Sequence, residues 1–351
     1  MALHGDIVRL SLPLTAGVAV GVLIPASHTF ALGCAAILLA GLWGCILTRT
    51  RRPSAFMALY FATGLFIGAS AALFPLPAGP GVFAGARAWL CTRIEALGFA
   101  DSGTAPLVKA LVLGERGGLS RDVVDAFRGS GTSHILALSG LHLGIFYLCI
   151  SKLLWPLGRG PAVRTCKSVL IMAFAAAYVL LAGASASLVR ALIFIVLRES
   201  AAIMHRRADL VRILFASLLI HLIISPLEIL SPGFQLSYLA LCGIAFLYPK
   251  MEAWYPSDAG RFDPIRRIWQ AASLAISCQI FTTPVAWLHF GTLPGNFLLA
   301  NILALPLATL FTAMAMVLTL LAALGWCPGV LIKAADSLGG LLVGALQTLA
   351  S

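Results

Sequence analysis

The chain has 351 residues, of which 60% are hydrophobic and only 11% charged, with a mean hydropathy of +0.98. Soluble globular chains carry about 25% charged residues, so this composition excludes an ordinary soluble enzyme and indicates an integral membrane protein. The formal net charge of +11 is explained first by Lys and Arg retained on the cytoplasmic side, and it does not by itself indicate nucleic-acid binding.

Apolar runs long enough to cross a bilayer as a helix recur along nearly the whole chain. We predict an all-α, polytopic membrane bundle with about eleven transmembrane helices. The candidate spans are 7–25, 29–48, 54–74, 133–155, 167–183, 188–204, 210–225, 233–249, 268–290, 296–323 and 329–350. The first run has no obvious small-residue cleavage site, so we interpret it as a retained span and not as a signal peptide.

The basic loops predict the orientation. Arg49, Arg51 and Arg52 lie between the second and third spans and place that side in the cytoplasm. The later basic loops fall on the same side, at Arg159, Arg164 and Lys167, at Arg206, Arg207 and Arg212, and at Lys250, Arg261, Arg266 and Arg267. We therefore expect a multi-pass protein of the plasma (inner) membrane with a cytoplasmic N-terminus and lipid as its first partner.

Three regions follow from this pattern: N-terminal transmembrane helices in 1–74, an extracytoplasmic helical segment in 75–132 and the main bundle in 133–351. The middle segment is nearly neutral. Within it, Ala86, Leu90, Ile94 and Leu97 form one apolar face, which predicts an amphipathic helix over 84–98 that lies on the membrane or against the bundle. A second short helix follows, with Ser120 as N-cap, a staple between Leu119 and Val124, and an end at Gly129 and Gly131.

The stretch SHILALSGLHLG (133–144) contains the densest polar cluster. On one continuous helix, His134, Leu138 and His142 share a face with Ser139 beside them, while Gly140 and Gly144 form a GxxxG pair that permits close approach of a neighbouring helix. Polar groups in hydrocarbon cost several kcal/mol. Three interpretations stay open: hydrogen bonding between helices, a face that lines a polar pathway, and catalysis.

Catalysis and metal binding have less support. A Ser–His nucleophile also needs an orienting carboxylate, and no acidic residue lies in this span. Two histidines eight residues apart on a helix are more than about 10 Å apart and cannot share a metal ion. The eight cysteines never form CxxC, so we expect neither a metal site nor a disulfide. We expect no enzymatic activity and no cofactor.

Further polar residues lie in other spans. Arg190 follows the GASAS loop and either reaches the outer interface, faces a pathway or pairs with an acid. Arg198 with Glu199 predicts a local charge pair or a solvated helix end. SPGFQLSYLALCG (231–243) places Gln235 and Ser237 inside a span. The segment 279–306 contains several Pro, Gly and Asn residues, which indicate two interrupted helices. Together these residues predict a polar interior shared by the fourth, sixth, eighth, ninth and tenth spans.

Four segments resemble, in order, the motif blocks of the ComEC competence family over roughly 105–310. They are ALVLGERGGLSRDVVDAFRGSGTSHILALSGLHLGI (110–145), GASASLVRAL (183–192), SPGFQLSYLA (231–240) and TTPVAWLHFGTLPGNFLLANILALPL (282–307). The residues at motif positions are Glu115, Arg116, Ser139, Gly140, His142, Arg190, Phe234, Gln235, Ser237 and Asn301. The resemblance implies an inner-membrane channel through which one DNA strand reaches the cytoplasm during natural transformation.

A DNA strand needs a hydrated route, hydrogen-bond donors for phosphates and faces on which bases stack. The residues that we expect to line or serve the pathway are Ser133, His134, Ser139, His142, Arg190, Phe234, Gln235, Ser237 and Asn301, and Tyr238 and Trp287 offer further aromatic faces. Glu115, Arg116, Gly140 and Gly144 are expected to be structural motif positions.

The chain differs from full-length family members, which resemble it in the bundle but also carry an OB-type domain and a metallo-β-lactamase-like nuclease domain. Ser231 also stands where the family commonly shows an acid. We therefore expect a reduced channel without nuclease activity, with separate proteins for DNA capture, nuclease action and cytoplasmic driving force. The alternatives are a transporter of a small molecule or another anion, a membrane hydrolase that uses Ser139 and His142, and a bundle without transport.

Overall fold

The computed structural model describes residues 2–24, 27–48, 53–71, 73, 83–136, 138–158, 160–206, 209–255, 263–291 and 297–350. These residues are mostly helical and contain no β-strand, which confirms the predicted all-α class. The helices are α1 (Ala2–Leu23), α2 (His28–Thr48), α3 (Pro53–Ala71), α4 (Ala84–Glu95), α5 (Thr104–Leu113), α6 (Arg121–Gly129), α7 (Ser133–Leu136), α8 (Gly140–Leu153), α9 (Pro161–Leu181), α10 (Ala186–Ile203), α11 (Leu210–Ile224), α12 (Pro232–Cys242), α13 (Tyr248–Glu252), α14 (Pro264–Phe290), α15 (Phe297–Ala323) and α16 (Gly329–Ala350).

Six helical segments in the described part are long and apolar enough to cross a membrane. They are Pro53–Ala71, Gly140–Leu157, Pro161–Leu181, Pro264–His289, Ile302–Ala323 and Gly329–Ala350. Each predicted span overlaps at least one helix among the described residues, but several of these helices are shorter or more charged than a typical transmembrane helix. The chain is thus a multi-pass membrane protein, and the count of about eleven spans stays a prediction.

The larger hydrophobic core joins the helices between 84 and 136 to the bundle. Leu90 and Ile94 of α4 are buried as the amphipathic pattern predicts, whereas Ala86 lies exposed. Together with α5 and α6, α4 packs on α15 and α16, and its buried residues join those of α8, α9 and α10 in one cluster. Ser120 caps α6 by accepting a hydrogen bond from the backbone N–H of Val123 at 3.4 Å, as predicted. The division into three regions stays a prediction.

Helix α5 was not predicted from the sequence, although it lies deep in this core. Its side chains from Leu107 to Leu113 are nearly all buried. The helix ends at Gly114, whose positive φ of 73° suits glycine. A Cβ atom on Gly114 would lie 2.6 Å from a methyl carbon of Leu138, so the LGER block packs directly against the chain that leads into α8.

Helices α1 and α3 pack backbone against backbone. Cβ atoms on Gly17 and Gly21 of α1 would clash with backbone atoms of α3, and Cβ atoms on Gly64 and Gly68 of α3 would clash with backbone atoms of α1. The two GxxxG pairs therefore interlock, an arrangement that permits close packing of helices in lipid. A smaller core places Leu14 and Val18 of α1 against α11 and α12.

The interruptions of the spans differ from the sequence prediction. Pro284 and Pro306 lie inside α14 and α15, both of which continue through them. The span predicted over 133–155 is instead broken, because α7 ends at Leu136 and α8 begins at Gly140. A π-helical turn at Gly243–Leu247 follows α12, where Gly243 approaches the backbone of Ser277 too closely for any side chain.

Candidate functional site

A cavity of about 730 Å³ lies between α8, α10, α11 and α12. Along α10 it extends from Ser187 to Arg198, which is about 16 Å of helix at 1.5 Å per residue. The described residues that line it are Gly140, Leu141, Gly144, Tyr147, Ser187, Arg190, Ala191, Phe194, Ile195, Arg198, Leu210, Ile213, Ser237, Ala240, Leu241 and Ile244. Most of these residues are apolar. Two are arginines and none carries a carboxylate, so the lining is positively charged.

The cavity includes three of the five spans expected to share a polar interior, namely α8, α10 and α12. Helix α11 supplies the fourth side, in place of the expected α14 and α15. Gly140 and Gly144 both line the cavity, and a Cβ atom on Gly144 would meet no atom within 4 Å. A Cβ atom on Gly140 would lie 3.6 Å from the Cβ of Ala191 on α10, so Gly140 lies against the neighbouring helix, whereas the missing side chain of Gly144 leaves open space in the cavity.

Arg190 occupies the Ser187 end of the cavity and is only 4% exposed. Its Nη2 donates to the carbonyl oxygen of Gly233 at 2.9 Å and to the hydroxyl oxygen of Ser237 at 2.7 Å, both on α12. The other terminal nitrogen, Nη1, is buried and has no hydrogen-bond partner among the described residues. An unsatisfied charged donor is costly in a buried site, so this atom is well suited to bind an anion.

Arg198 lines the other end of the cavity and is exposed. Its guanidinium carbon lies 5.5 Å from the ring centroid of Tyr147, a distance at which a cation is attracted to an aromatic face. The charge pair predicted between Arg198 and Glu199 is wrong, because successive helical residues point in different directions.

Glu199 instead joins three helices. Its two carboxylate oxygens accept hydrogen bonds from the Tyr147 hydroxyl of α8 at 2.7 Å and from the Ser168 hydroxyl of α9 at 2.6 Å. The side chain is buried, with 6% exposure. A solvated helix end, the second sequence interpretation, is therefore also excluded for Glu199. Among the described residues, Glu199 forms no ion pair with Arg198.

The predicted aromatic faces do not line the cavity. Phe234 and Tyr238 are buried and pack on each other with ring centroids 4.6 Å apart, and the His221 ring lies 5.1 Å from that of Phe234. Phe234 does not line the cavity, but its ring centroid lies 6.0 Å from the guanidinium carbon of Arg190. Trp287 is exposed on α14, away from the cavity lining.

Gln235 connects structural elements and does not line the cavity. Its amide nitrogen donates to the carbonyl oxygen of Ile229 at 2.9 Å, and its amide oxygen lies 3.2 Å from Nε2 of His289 on α14. Ser231 caps α12 and donates to the carboxylate of Glu228 at 2.8 Å. An acid therefore stands beside Ser231, three residues earlier in the chain. The side chain of Asn301 lies outside the described residues.

Of the polar residues of SHILALSGLHLG, Ser133, Ser139 and His142 do not line the cavity. His142 is completely buried and forms a capping box with Ser139, the residue that precedes α8. Since α7 and α8 are separate helices, the shared face of His134, Leu138 and His142 does not exist. Ser133 is exposed and donates to the carbonyl oxygen of Phe127 at 3.4 Å. The side chain of His134 lies outside the described residues.

Glu115 and Arg116 lie at the surface after α5. Glu115 forms an ion pair with Arg87 of α4 at 3.3 Å, whereas Arg116 is exposed and its carbonyl oxygen accepts the N–H of Leu119 in a turn. Glu115 thus connects α4 to the LGER block, and neither residue approaches the cavity lining.

Tyr147 and Ser187 line the cavity but were missed from the sequence. A signal for Tyr147 was present, because Gly140, Gly144 and Tyr147 are spaced by four and three residues on one helical face. Arg190, Phe194 and Arg198 are spaced by four residues each and likewise share one face of α10. Glu199 and Ser168 pair across helices, which helical periodicity does not reveal.

The comparisons with known proteins agree with this architecture. The family model "Competence protein" matches residues 111–351, from the last turn of α5 through the whole cavity to α16. The chain is 27% identical over 237 residues to ComE operon protein 3 of Bacillus subtilis (strain 168), an alignment that covers 63% of this chain and 30% of that protein.

A second relative is Uncharacterized protein YcaI of Escherichia coli (strain K12), which is 24% identical over 217 residues, or 59% of this chain and 28% of that protein. The chain thus spans less than a third of the length of either curated relative, and no solved structure matches it significantly. Since the family model covers well over half of the chain, this multi-pass membrane protein belongs to the competence protein family.

Proposed function

We propose that this protein conducts single-stranded DNA across the inner membrane during natural transformation, with the cavity between α8, α10, α11 and α12 as part of the route. Membership of the competence protein family supports a role in competence. The family model covers all the helices that line the cavity, and the similarity to ComE operon protein 3 extends over 30% of that relative.

The buried Nη1 of Arg190 is the observation that carries the proposal. Arg190 lines the cavity, and this charged donor atom is buried without a hydrogen-bond partner among the described residues. Nucleic-acid strands present one anionic phosphate per nucleotide, and their affinity for proteins is dominated by such contacts. A carboxylate in the lining would repel the strand, and the described lining contains none.

The remainder of the wall is suited to the bases. Leu141, Phe194, Leu241 and Ile244 line the cavity and offer apolar surface that accepts any base, since sequence-independent strand binding uses stacking and apolar contact. The buried Phe234 and Tyr238 are excluded from this role in the observed conformation.

The proposed orientation has a cytoplasmic N-terminus, as the basic loops indicate. Arg190, near the start of α10, then lies towards the outside and Arg198 towards the cytoplasm. The proposal includes separate proteins for DNA capture, nuclease action and driving force, and it assigns this chain no catalytic step, metal ion or cofactor.

The test is uptake of fluorescently labelled DNA by a deletion strain that is complemented with the wild-type chain or with Arg190→Ala. We expect Arg190→Ala to reduce uptake at least about tenfold, because a single charge-assisted contact to phosphate is worth this much or more. Arg128→Ala is the matched control, since Arg128 is an exposed arginine on α6. Equal uptake by the wild type and Arg190→Ala at equal membrane abundance contradicts the proposal.

A second function is compatible with the cavity volume. About 730 Å³ lies within the range of roughly 300–1,000 Å³ typical of small-molecule sites, so a transporter of a small organic anion would use the same Arg190. A deletion strain that transforms normally but accumulates or loses an anionic metabolite would support this alternative against DNA uptake.

A further inference from the structure

We infer that the cavity is a two-point phosphodiester site, in which Arg190 and Arg198 bind different phosphates of one extended strand and the bases are not read. This inference rests on the proposed function and names the chemical group that the cavity recognises. Arg190 and Arg198 both line the cavity and are separated by eight residues of α10, or about 12 Å along the helix axis.

Neither arginine forms an ion pair among the described residues. Arg190 uses Nη2 for Gly233 and Ser237, and its buried Nη1 has no partner among the described residues. The acid next to Arg198 in the chain is Glu199, whose oxygens are occupied by Tyr147 and Ser168. No ion pair between Glu199 and Arg198 occurs in the part of the chain that the structure describes.

The wall between the two arginines has little capacity to distinguish bases. Ala191, Phe194 and Ile195 of α10 face the cavity between the charged positions, and the opposite wall includes Leu241 of α12 and Ile244 of the π-helical turn. Such side chains lack the donors and acceptors that read base edges. The two guanidinium groups therefore fix the strand by its backbone, and a ligand with a single phosphate reaches only one of them.

The site should thus discriminate by ligand length and charge. Two linked contacts raise affinity beyond either contact alone when the ligand spans both positions. We expect an oligonucleotide of four thymidylates to bind at least about tenfold more tightly than thymidine 5′-monophosphate. An abasic deoxyribose-phosphate tetramer should bind within a few-fold of the oligonucleotide, and thymidine should not bind measurably.

The experiment measures binding of these four probes to the full chain in phosphatidylcholine nanodiscs. Arg198→Ala should reduce the affinity for the oligonucleotide to nearly that for the monophosphate, while the monophosphate itself binds as before. Arg190→Ala should weaken both. Log affinity falls with log salt, and this fall should be steeper in the wild type than in either variant by about 0.7, the value for one phosphate contact on a single strand. Arg128→Ala is the control, and size-exclusion profiles in detergent establish that each variant folds.

Three results overturn the inference: thymidine binding as tightly as the oligonucleotide, an unchanged length dependence in Arg198→Ala, and unchanged salt slopes in both variants. A lipid headgroup offers the same phosphodiester chemistry, so the measurement is repeated in nanodiscs that contain phosphatidylglycerol. Loss of oligonucleotide binding there assigns the site to lipid and also overturns the inference. Failure of the proposed function can be distinguished from failure of this inference. If only the proposed function fails, Arg190→Ala loses oligonucleotide binding in nanodiscs but still takes up labelled DNA in cells.

Discussion

Ser139 and His142 close the start of α8 through reciprocal hydrogen bonds. The backbone N–H of Ser139 donates to Nδ1 of His142 at 3.2 Å, and the Ser139 hydroxyl oxygen accepts the N–H of Leu141 at 3.3 Å. His142 therefore takes the place of the Glu or Gln usual in a capping box, and Nδ1 as acceptor places the proton of the neutral ring on Nε2. The imidazole serves helix initiation at the point where the predicted long span is broken.

We expect Ser139→Ala to lower the free energy of unfolding by about 1 kcal/mol, since loss of an N-cap side chain typically costs 0.5–2 kcal/mol. Ser139→Asp should retain most of the stability because aspartate also caps helices. His142→Gln should resemble the wild type, and His142→Leu should not. Thermal unfolding in detergent checks the series; equal stability of His142→Gln and His142→Leu contradicts the capping role.

The buried Glu199 predicts a second stability effect. Glu199→Ala leaves the hydroxyl groups of Tyr147 and Ser168 without their acceptor, and an unpaired buried polar group costs about 1–3 kcal/mol. We expect Glu199→Gln to be milder, because its amide oxygen still accepts one hydroxyl. Unfolding measurements on the two variants check the order. Glu199→Gln should cost less stability in a Tyr147→Phe, Ser168→Ala background than in the wild type, because the hydroxyl donors are then already absent. An equal stability cost in both backgrounds would exclude the network.

The interlocked glycines predict strong sensitivity in α1 and α3. Gly64→Leu places a side chain where the backbone of Leu14 lies, so the helices must separate, at a cost of about 1–3 kcal/mol or more. We expect loss of folded protein, measured as the monodisperse fraction after solubilisation. Gly33→Leu on α2 is the matched control, since no atom lies within 4 Å of its Cβ position. Comparable yields of the two variants would show that α1 and α3 do not pack in this way.

Gly144 offers a test of the cavity as a route. Gly144→Leu projects a side chain into open space in the cavity, so stability should change by no more than about 0.5 kcal/mol, whereas uptake of labelled DNA should fall at least about tenfold. Gly33→Leu again provides the control. Normal uptake by a well-folded Gly144→Leu variant would remove the cavity from the transport route.

The sequence predicted those features that depend on one segment at a time. Apolar runs located the helices, and the Ser120 cap and the buried face of Leu90 and Ile94 followed from local patterns. The break before Gly140 was missed, because SHILALSGLHLG has helical spacing and only the Ser139–His142 capping box reveals a new helix start. The partners of Glu199 and the contacts of Gly17 with α3 lie on other helices, so no pattern within one segment identifies them.

The same limit applies to the site. Arg190 was recognised because a buried charge in a membrane span is costly and indicates a function. Phe234 and Gln235 also lie in a family motif block, yet they serve helix packing and the linkage between helices. Motif membership therefore identified the neighbourhood of the cavity but not which side chains face it. Tyr147 lies on the same helical face as Gly140 and Gly144. It was predictable from their spacing if that glycine face is interpreted as the wall of a cavity and not only as a helix–helix contact.

The interlocked α1–α3 pair has a mechanical consequence for the cavity. The backbones of α1 and α3 are in contact along two turns, with no space between the helices for relative movement, so the two helices move as one rigid unit. Leu14 and Val18 bring that unit against α11, whose Leu210 and Ile213 form one wall of the cavity. Any outward swing of α11 that dilates the passage must therefore displace the whole N-terminal pair, which spin-label distances would record as a fixed α1–α3 separation alongside a changing α8–α11 one.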